Sequence, residues 1–109
     1  MRITDTLRNR TRIRDLFKKS KKISQFPITV LYTNNQLGHT ELLYCSDRSS
    51  RRAVDRNRTK RILRAISFEN EKNFPNGFDI AVIANKAIEK LEFPDRVQLL
   101  AKALRKMEK

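Results

Sequence analysis

The chain has 109 residues, of which 25 are lysine or arginine and 12 are aspartate or glutamate, so its formal charge is +13. This excess predicts a polyanionic partner, which could be nucleic acid or an anionic membrane surface. Membrane insertion is not expected, because no apolar run approaches the roughly 20 residues that a spanning helix needs. The length predicts one domain over residues 1–109. The single cysteine, Cys45, permits no intrachain disulfide and is typical of a reducing cytoplasm.

The N-terminal segment is strongly basic, with nine cations in residues 1–22 against two acids. The spacing of Ile13, Leu16 and Phe17 predicts a short amphipathic helix over residues 10–20. We expect residues 1–9 to form a flexible basic arm, because like charges repel one another and few apolar groups anchor this stretch.

Two stretches rich in β-branched and aromatic residues follow, at 28–33 and 39–45. Asn34, Asn35 and Gly38 supply turn chemistry between them, so the two stretches are predicted to pair as an antiparallel hairpin. Residues 46–50 form a polar connector whose serines are expected to cap the next helix.

The most informative stretch is 51–64, where seven of fourteen residues are cationic and neither glycine nor proline occurs. It predicts a helix that continues to about residue 70. On that helix one arc of about 140° would carry a basic ridge, and the opposite side is expected to pack on the core. The ridge comprises Arg56, Asn57, Lys60, Arg61 and Arg64, and the apolar side Val54, Ile62, Ala65 and Ile66.

A solvated basic face is the alternative interpretation of this ridge. It is disfavoured because Asp55 is the only acid between Arg48 and Arg64, so that mutual repulsion costs stability unless a polyanion relieves it. Arginine also offers planar, bidentate geometry to phosphate.

The remaining elements are a turn at 72–77, a buried strand at 78–84 and a last helix opened by Pro94. The order helix, strand, strand, helix, strand, helix predicts a small α+β sandwich of helices on a sheet.

A self-contained active site is not expected on this chain. His39 is the only histidine and is predicted to be an exposed loop residue. The acids are scattered without metal-ligand spacing, and two glycines are too few for a phosphate-binding loop. We therefore assign no catalytic residue.

Residues 53–64, reading Ala-Val-Asp-Arg-Asn-Arg-Thr-Lys-Arg-Ile-Leu-Arg, resemble the Arg-Asn-Arg signature helix of the bacterial ribonuclease P protein family. The resemblance implies a mixed β-sheet packed with three helices and a left-handed βαβ crossover. It also implies a protein subunit of an endoribonuclease whose RNA subunit holds the catalytic magnesium and removes the 5′ leader of precursor tRNA.

The family's site residues carry over by position. The expected RNA-subunit contacts are Arg51, Arg52, Arg56, Asn57, Arg58, Lys60, Arg61 and Arg64. The leader is expected in a cleft between the first helix and the sheet, with Phe17, Tyr32 and Ile13, which replaces a family aromatic. Core packing is the alternative for Phe17 and Tyr32. No metal ligand is assigned, and Asn57 is the one candidate for an indirect metal contact.

The expected partners are the RNA subunit and the precursor tRNA leader, in the cytoplasm, without a membrane or a required protein partner. A structural RNA-binding protein, such as a small ribosomal protein, fits charge and size equally well, and only the signature separates the two. A DNA-binding module would need base-reading polar residues, whereas this ridge is nearly all charge.

Overall fold

The computed structural model describes the backbone of residues 4–107 and the side chains of residues 6–107. The strands are β1 (Thr4–Thr6), β2 (Lys21–Gln25), β3 (Ile28–Asn34), β4 (Thr40–Ser46) and β5 (Phe78–Ala84). The helices are α1 (Arg10–Lys19), α2 (Ala53–Glu69) and α3 (Phe93–Arg105), and 3-10 turns span Glu71–Asn73 and Lys86–Lys90. No helix in the described part is long and apolar enough to cross a membrane.

The sheet has the strand order β1-β4-β5-β3-β2, with β4–β5 and β1–β4 parallel and β2–β3 and β3–β5 antiparallel. The predicted hairpin between residues 28–33 and 39–45 is therefore wrong. β5 lies between these strands, because its nearly continuous apolar sequence is buried by a partner strand on each side. The hairpin that does form joins β2 to β3 through Phe26 and Pro27, and β2 was not predicted.

The two faces of the sheet carry different helices. α2 and α3 cover the face to which Phe78, Ile80 and Val82 contribute, and α1 covers the face that contains Ala81. The predicted α+β class, a mixed sheet packed with three helices, is confirmed, and its βαβ unit is β4–α2–β5.

Part of the expected N-terminal arm is ordered. Thr4–Thr6 pairs in parallel with β4, and Leu7 is buried together with Leu16 beneath α1. The expectation of a loose arm is thus wrong for residues 4–7, because the buried side chain of Leu7 anchors this stretch in spite of its basic composition. Residues 1–3 of the predicted arm lie outside the described residues.

α1 is fixed to the sheet by an ion pair as well as by apolar contacts. Arg12 Nε donates to Asp79 Oδ2 on β5 at 2.9 Å, and its Nη2 lies 3.1 Å from Glu41 Oε1 on β4. The hydrogen bond with buried Asp79 raises the pKa of Arg12, although burial acts against it. The guanidinium therefore holds α1 across two strands.

The start of α2 is not capped by a serine, contrary to the prediction. Arg52 occupies the N-cap position, and no described side chain caps the helix there. Ser49 instead accepts a hydrogen bond from Lys86 N at 2.7 Å, and Ser50 Oγ lies 3.4 Å from Thr59 Oγ1. The serines thus connect the loop to the turn after β5 and to the second turn of α2.

The buried side of α2 is more polar than predicted. Ile66 is buried and Ile62 half-buried as expected, but Val54 and Ala65 are exposed. The helix instead buries Asp55, Thr59, Leu63, Ile66 and Ser67. Two of these three polar residues have partners, because Thr59 lies against Ser50 and Asp55 has cationic neighbours.

Those partners surround the Asp55 carboxylate. Arg52 Nε lies at 3.2 Å, Lys86 Nζ at 3.6 Å and Arg58 Nη1 at 3.7 Å from its oxygens. The hydrogen bond from Arg52 is the main cause that lowers the pKa of Asp55, with the charges of Arg52 and Lys86 contributing. The carboxylate is thereby kept ionised in a buried position.

We predict that Asp55→Asn lowers the free energy of unfolding at neutral pH. This loss relative to wild type should become smaller as the pH falls. Because the pKa of Asp55 is lowered by folding, its stabilising effect is present above the ordinary aspartate pKa of about 3.9 and is lost as pH falls through the folded-state value. Urea unfolding of both proteins between pH 7 and pH 2 measures the difference. Glu69→Gln, which removes an exposed carboxylate from the same helix, is the control. A deficit that stays constant down to pH 2 would contradict the account.

Candidate nucleic-acid interface

The five residues of the basic ridge, Arg56, Asn57, Lys60, Arg61 and Arg64, are all exposed along α2. None of its four cations has a carboxylate within 4.0 Å among the described side chains. Arg56 Nη1 donates to the Arg51 carbonyl at 2.6 Å, and the Arg64 guanidinium lies over the Tyr44 ring at 6.0 Å. The ridge is thus a row of positive charge that this fold does not neutralise.

Two other arginines predicted for the same interface are held differently. Arg52 pairs with Asp55, and Arg58 pairs with both Asp55 and Glu89, whose Oε1 lies at 3.3 Å. Both side chains remain substantially exposed, but carboxylates compensate their charges. Arg58 points towards the 3-10 turn Lys86–Lys90, so it helps to hold α2 against the segment that follows β5. Arg51 is exposed beside the ridge.

The difference between these arginines follows from helical geometry. At 100° per residue, Arg58 lies on the flank of α2 opposite Arg56 and Lys60, and the buried carboxylate lies on the Arg58 side. Leu63 and Ile66 face the core between these flanks. The packing of α2 therefore directs one set of cations towards acids and the other set towards solvent.

A second surface lies where α1 crosses the sheet. Ile13 of α1 and the half-buried strand residues Leu31, Leu43 and Ile83 pack against the buried cluster of Leu7, Leu16 and Ala81. Phe17, one turn further along α1, is about half exposed. Ile13 and the three strand residues form an apolar strip, the α1 cleft, between the helix and the sheet, and Phe17 is exposed on the same helix.

Tyr32 does not belong to the α1 cleft. It is 3% exposed and lies in the core under α2 and α3, with its ring centroid 6.0 Å from that of Phe78. Neighbouring strand residues point to opposite faces, so Leu31 occupies the cleft and Tyr32 the core. Placing Tyr32 beside Ile13 and Phe17 is therefore corrected, and the core-packing alternative is right for this residue.

The polar end of the α1 cleft was not predicted. α1 and the ends of β3 and β5 enclose a cavity lined by Arg12, Asp15, Lys19, Thr33, Asn34, Asn35 and Asp79. Asn35 Nδ2 donates to Asp79 Oδ1 at 3.1 Å, on the carboxylate that also holds Arg12. Arg12 and Asp79 are 67 positions apart, and nothing in the local sequence marks them as a pair.

The thiol of Cys45 and the titratable side chains of His39 and Asp47 are held by contacts within the fold. Cys45 is half-buried on β4, and burial raises the pKa of its thiol, which keeps it protonated and unreactive. His39, in the loop just before β4, is half-exposed, and its Nε2 lies 2.8 Å from Glu41 Oε2. The Asp47 carboxylate accepts from Ser49 and Asn85, and although burial opposes it, these bonds lower its pKa. Its negative charge therefore orders the loop before α2.

Comparisons with known proteins agree with this geometry. The family model for ribonuclease P matches residues 1–108. The ribonuclease P protein component of Thermotoga maritima is 34% identical over 87 residues, which cover 76% of this chain and 74% of the relative. That of Pelotomaculum thermopropionicum is 26% identical over 108 residues, covering 99% and 96%.

Solved structures of ribonuclease P proteins also resemble this chain. The structure of the Thermotoga maritima ribonuclease P protein matches with a TM-score of 0.82 and 28% identity, covering 96% of this chain and 99% of that one. A Staphylococcus aureus ribonuclease P protein, at 20% identity and a TM-score of 0.74, shares the fold. With the family model spanning nearly every residue, the chain belongs to the ribonuclease P protein family.

Proposed function

We propose that this protein is the subunit that binds the ribonuclease P RNA through the basic ridge and assists removal of the 5′ leader from precursor tRNA. The observation that carries the proposal is the ridge itself, four exposed cations without an acidic partner in the described structure, on the helix that bears the family signature. Family membership also favours this function over that of a small ribosomal protein, which charge and size alone would allow.

The composition of the ridge suits a folded RNA backbone. Arginine guanidinium groups bind phosphate oxygens through two parallel hydrogen bonds, whereas Lys60 offers a mobile point charge. Asn57 adds a neutral donor and acceptor among the cations. Contacts of this kind fix position and register on a nucleic acid without reading its sequence. The proposed partner is therefore recognised by the arrangement of its phosphates.

In the proposal the reaction takes place on the RNA. The described residues contain no group of three or more His, Cys, Asp or Glu side chains placed to hold a metal ion. These side chains do not fit a magnesium centre, so catalytic magnesium is assigned to the RNA subunit. The protein contributes binding and orientation in a cytoplasmic holoenzyme. An indirect metal contact through Asn57 stays a prediction.

The α1 cleft is the proposed position of the leader. Phe17 presents a half-exposed ring, and Ile13 with the apolar strand residues gives a floor on which an unpaired nucleotide can lie. Bases stack on aromatic rings with little dependence on sequence. Lys18 and Lys19 in the last turn of α1 supply positive charge for the leader backbone.

Replacing Arg61 by Ala should reduce the salt dependence of binding to the cognate ribonuclease P RNA transcript. Removing one phosphate contact lowers the slope of log Kd against log salt concentration by about one. Filter binding from 50 to 200 mM salt measures the slope. Lys102→Ala removes an exposed cation from α3, away from the ridge, and should leave the slope unchanged. Equal slopes for Arg61→Ala and wild type would place Arg61 outside the interface.

Replacing Phe17 by Ala should weaken binding of leader-bearing precursor tRNA to the reconstituted holoenzyme by about 1–3 kcal/mol, the usual contribution of one stacked base. Binding of mature tRNA should not change, since it has no leader. Phe93→Ala is matched in exposure, at 43% against 49% for Phe17, and lies on α3. If Phe17→Ala weakened both tRNAs equally, its ring would have a structural role instead.

A further inference from the structure

A small aromatic pocket adjoins the basic ridge on the face of the sheet opposite the α1 cleft. It lies between α2 and β4 above Leu42 and has a volume of about 170 Å³. Its other lining residues are Tyr44, Arg64, Ser67, Phe68, Glu71 and Phe74. Pockets for drug-sized ligands are about 300–1,000 Å³, so this one has room for a single ring system.

The pocket continues the ridge along the helix. Arg64, Phe68 and Glu71 are spaced by four and three residues and so occupy successive turns on one side of α2 and its 3-10 extension. Arg64 belongs to both the ridge and the pocket. A nucleic acid that follows the ridge towards the C-terminal end of α2 therefore reaches the pocket without leaving the surface.

The walls of the pocket are suited to a flat ligand. Phe68 is 73% exposed, although it is large and apolar. The Arg64 guanidinium lies over the Tyr44 ring at 6.0 Å. Unpaired RNA bases stack on aromatic rings and on guanidinium planes alike. Both types of plane meet here beside a row of phosphate-binding cations.

Two polar groups in the pocket favour a ligand that carries hydrogen-bonding groups along its edge. Ser67 is 3% exposed, and its hydroxyl finds no hydrogen-bond partner in the described structure. An unsatisfied buried hydroxyl is unfavourable. Glu71 is the one carboxylate among the lining residues, and a carboxylate accepts hydrogen bonds from exocyclic amino groups of bases. An apolar protein side chain would leave the Ser67 hydroxyl without a partner.

We propose that this pocket binds one unpaired adenine, cytosine or guanine of the RNA that the ridge contacts. The base stacks against Phe68 and Arg64, its polar edge meets the Ser67 hydroxyl, and its amino group donates to Glu71. Uracil has no exocyclic amino group and offers Glu71 only its ring N3–H. The inference rests on the proposed function and adds a single-nucleotide site to it.

The test compares two exposed phenylalanines. Phe68→Ala should weaken binding to the cognate ribonuclease P RNA transcript by about 5- to 150-fold, the equivalent of one lost stacking contact, with an unchanged salt slope because no charge is removed. Phe26→Ala, with 72% exposure at the opposite edge of the sheet, should bind as wild type does. Equal affinities for the two variants would overturn the site and leave the pocket to solvent or to a protein partner.

Ser67→Ala separates a binding role from a structural one. Removing an unpartnered hydroxyl should leave the melting temperature of the free protein unchanged or raise it, while RNA affinity falls by about 2- to 12-fold. A lower melting temperature with unchanged affinity would overturn the assignment. If wild-type protein fails to bind the RNA, the proposed function fails. If wild type binds and Phe68→Ala matches it, only the pocket fails.

Discussion

The buried carboxylate of Asp55 is the contact on which the arrangement of α2 depends. It lies in the first helical turn, where a negative charge is favoured by the helix dipole. Arg52, Arg58 and Lys86 surround it, so it connects the start of α2 to the loop before the helix and to the turn after β5. Removing such a carboxylate would leave cations that have lost their partner.

The same contact determines which cations remain available. Glu89 and Asp55 compensate Arg58 on one flank of α2, whereas the opposite flank carries Arg56, Lys60 and Arg64. A helix with acids on both flanks would be more stable in isolation and would have little affinity for phosphate. The cations of the ridge repel one another in the free protein, and a bound polyanion relieves this repulsion. Stability and binding therefore depend on different sides of one helix.

Local patterns were enough to predict the exposed ridge, the core strand at 78–84 and the class of the fold. Charge runs and apolar runs are local, so they survive without knowledge of tertiary contacts. The pairing of strands was predicted wrongly because β5, which follows α2 in the chain, inserts between β3 and β4. The face of Tyr32 was missed for a related reason, since one position along a strand exchanges cleft and core.

The buried side of α2 and the aromatic pocket could not be predicted from periodicity. One of the cations that compensate buried Asp55, Lys86, reaches it from the turn after β5, 31 positions further along the chain. The pocket joins Tyr44 on β4 to Phe68 on α2 and to Phe74 beyond it. Both features depend on the β4–α2–β5 crossover, and nothing local in the sequence shows which strand the helix will cover.

We propose that the flank of α2 without acidic partners binds RNA while the RNA performs the cleavage. The most direct measurement is the rate of precursor tRNA cleavage by the cognate RNA subunit at limiting magnesium, with a triple variant in which Arg56, Lys60 and Arg64 are alanine. The control is a triple variant of equal charge with alanine at Lys90, Lys102 and Arg105, all exposed away from the ridge and the aromatic pocket. We expect that wild type and control stimulate cleavage and that the ridge variant does not. Stimulation by the ridge variant equal to that by wild type would contradict the proposal.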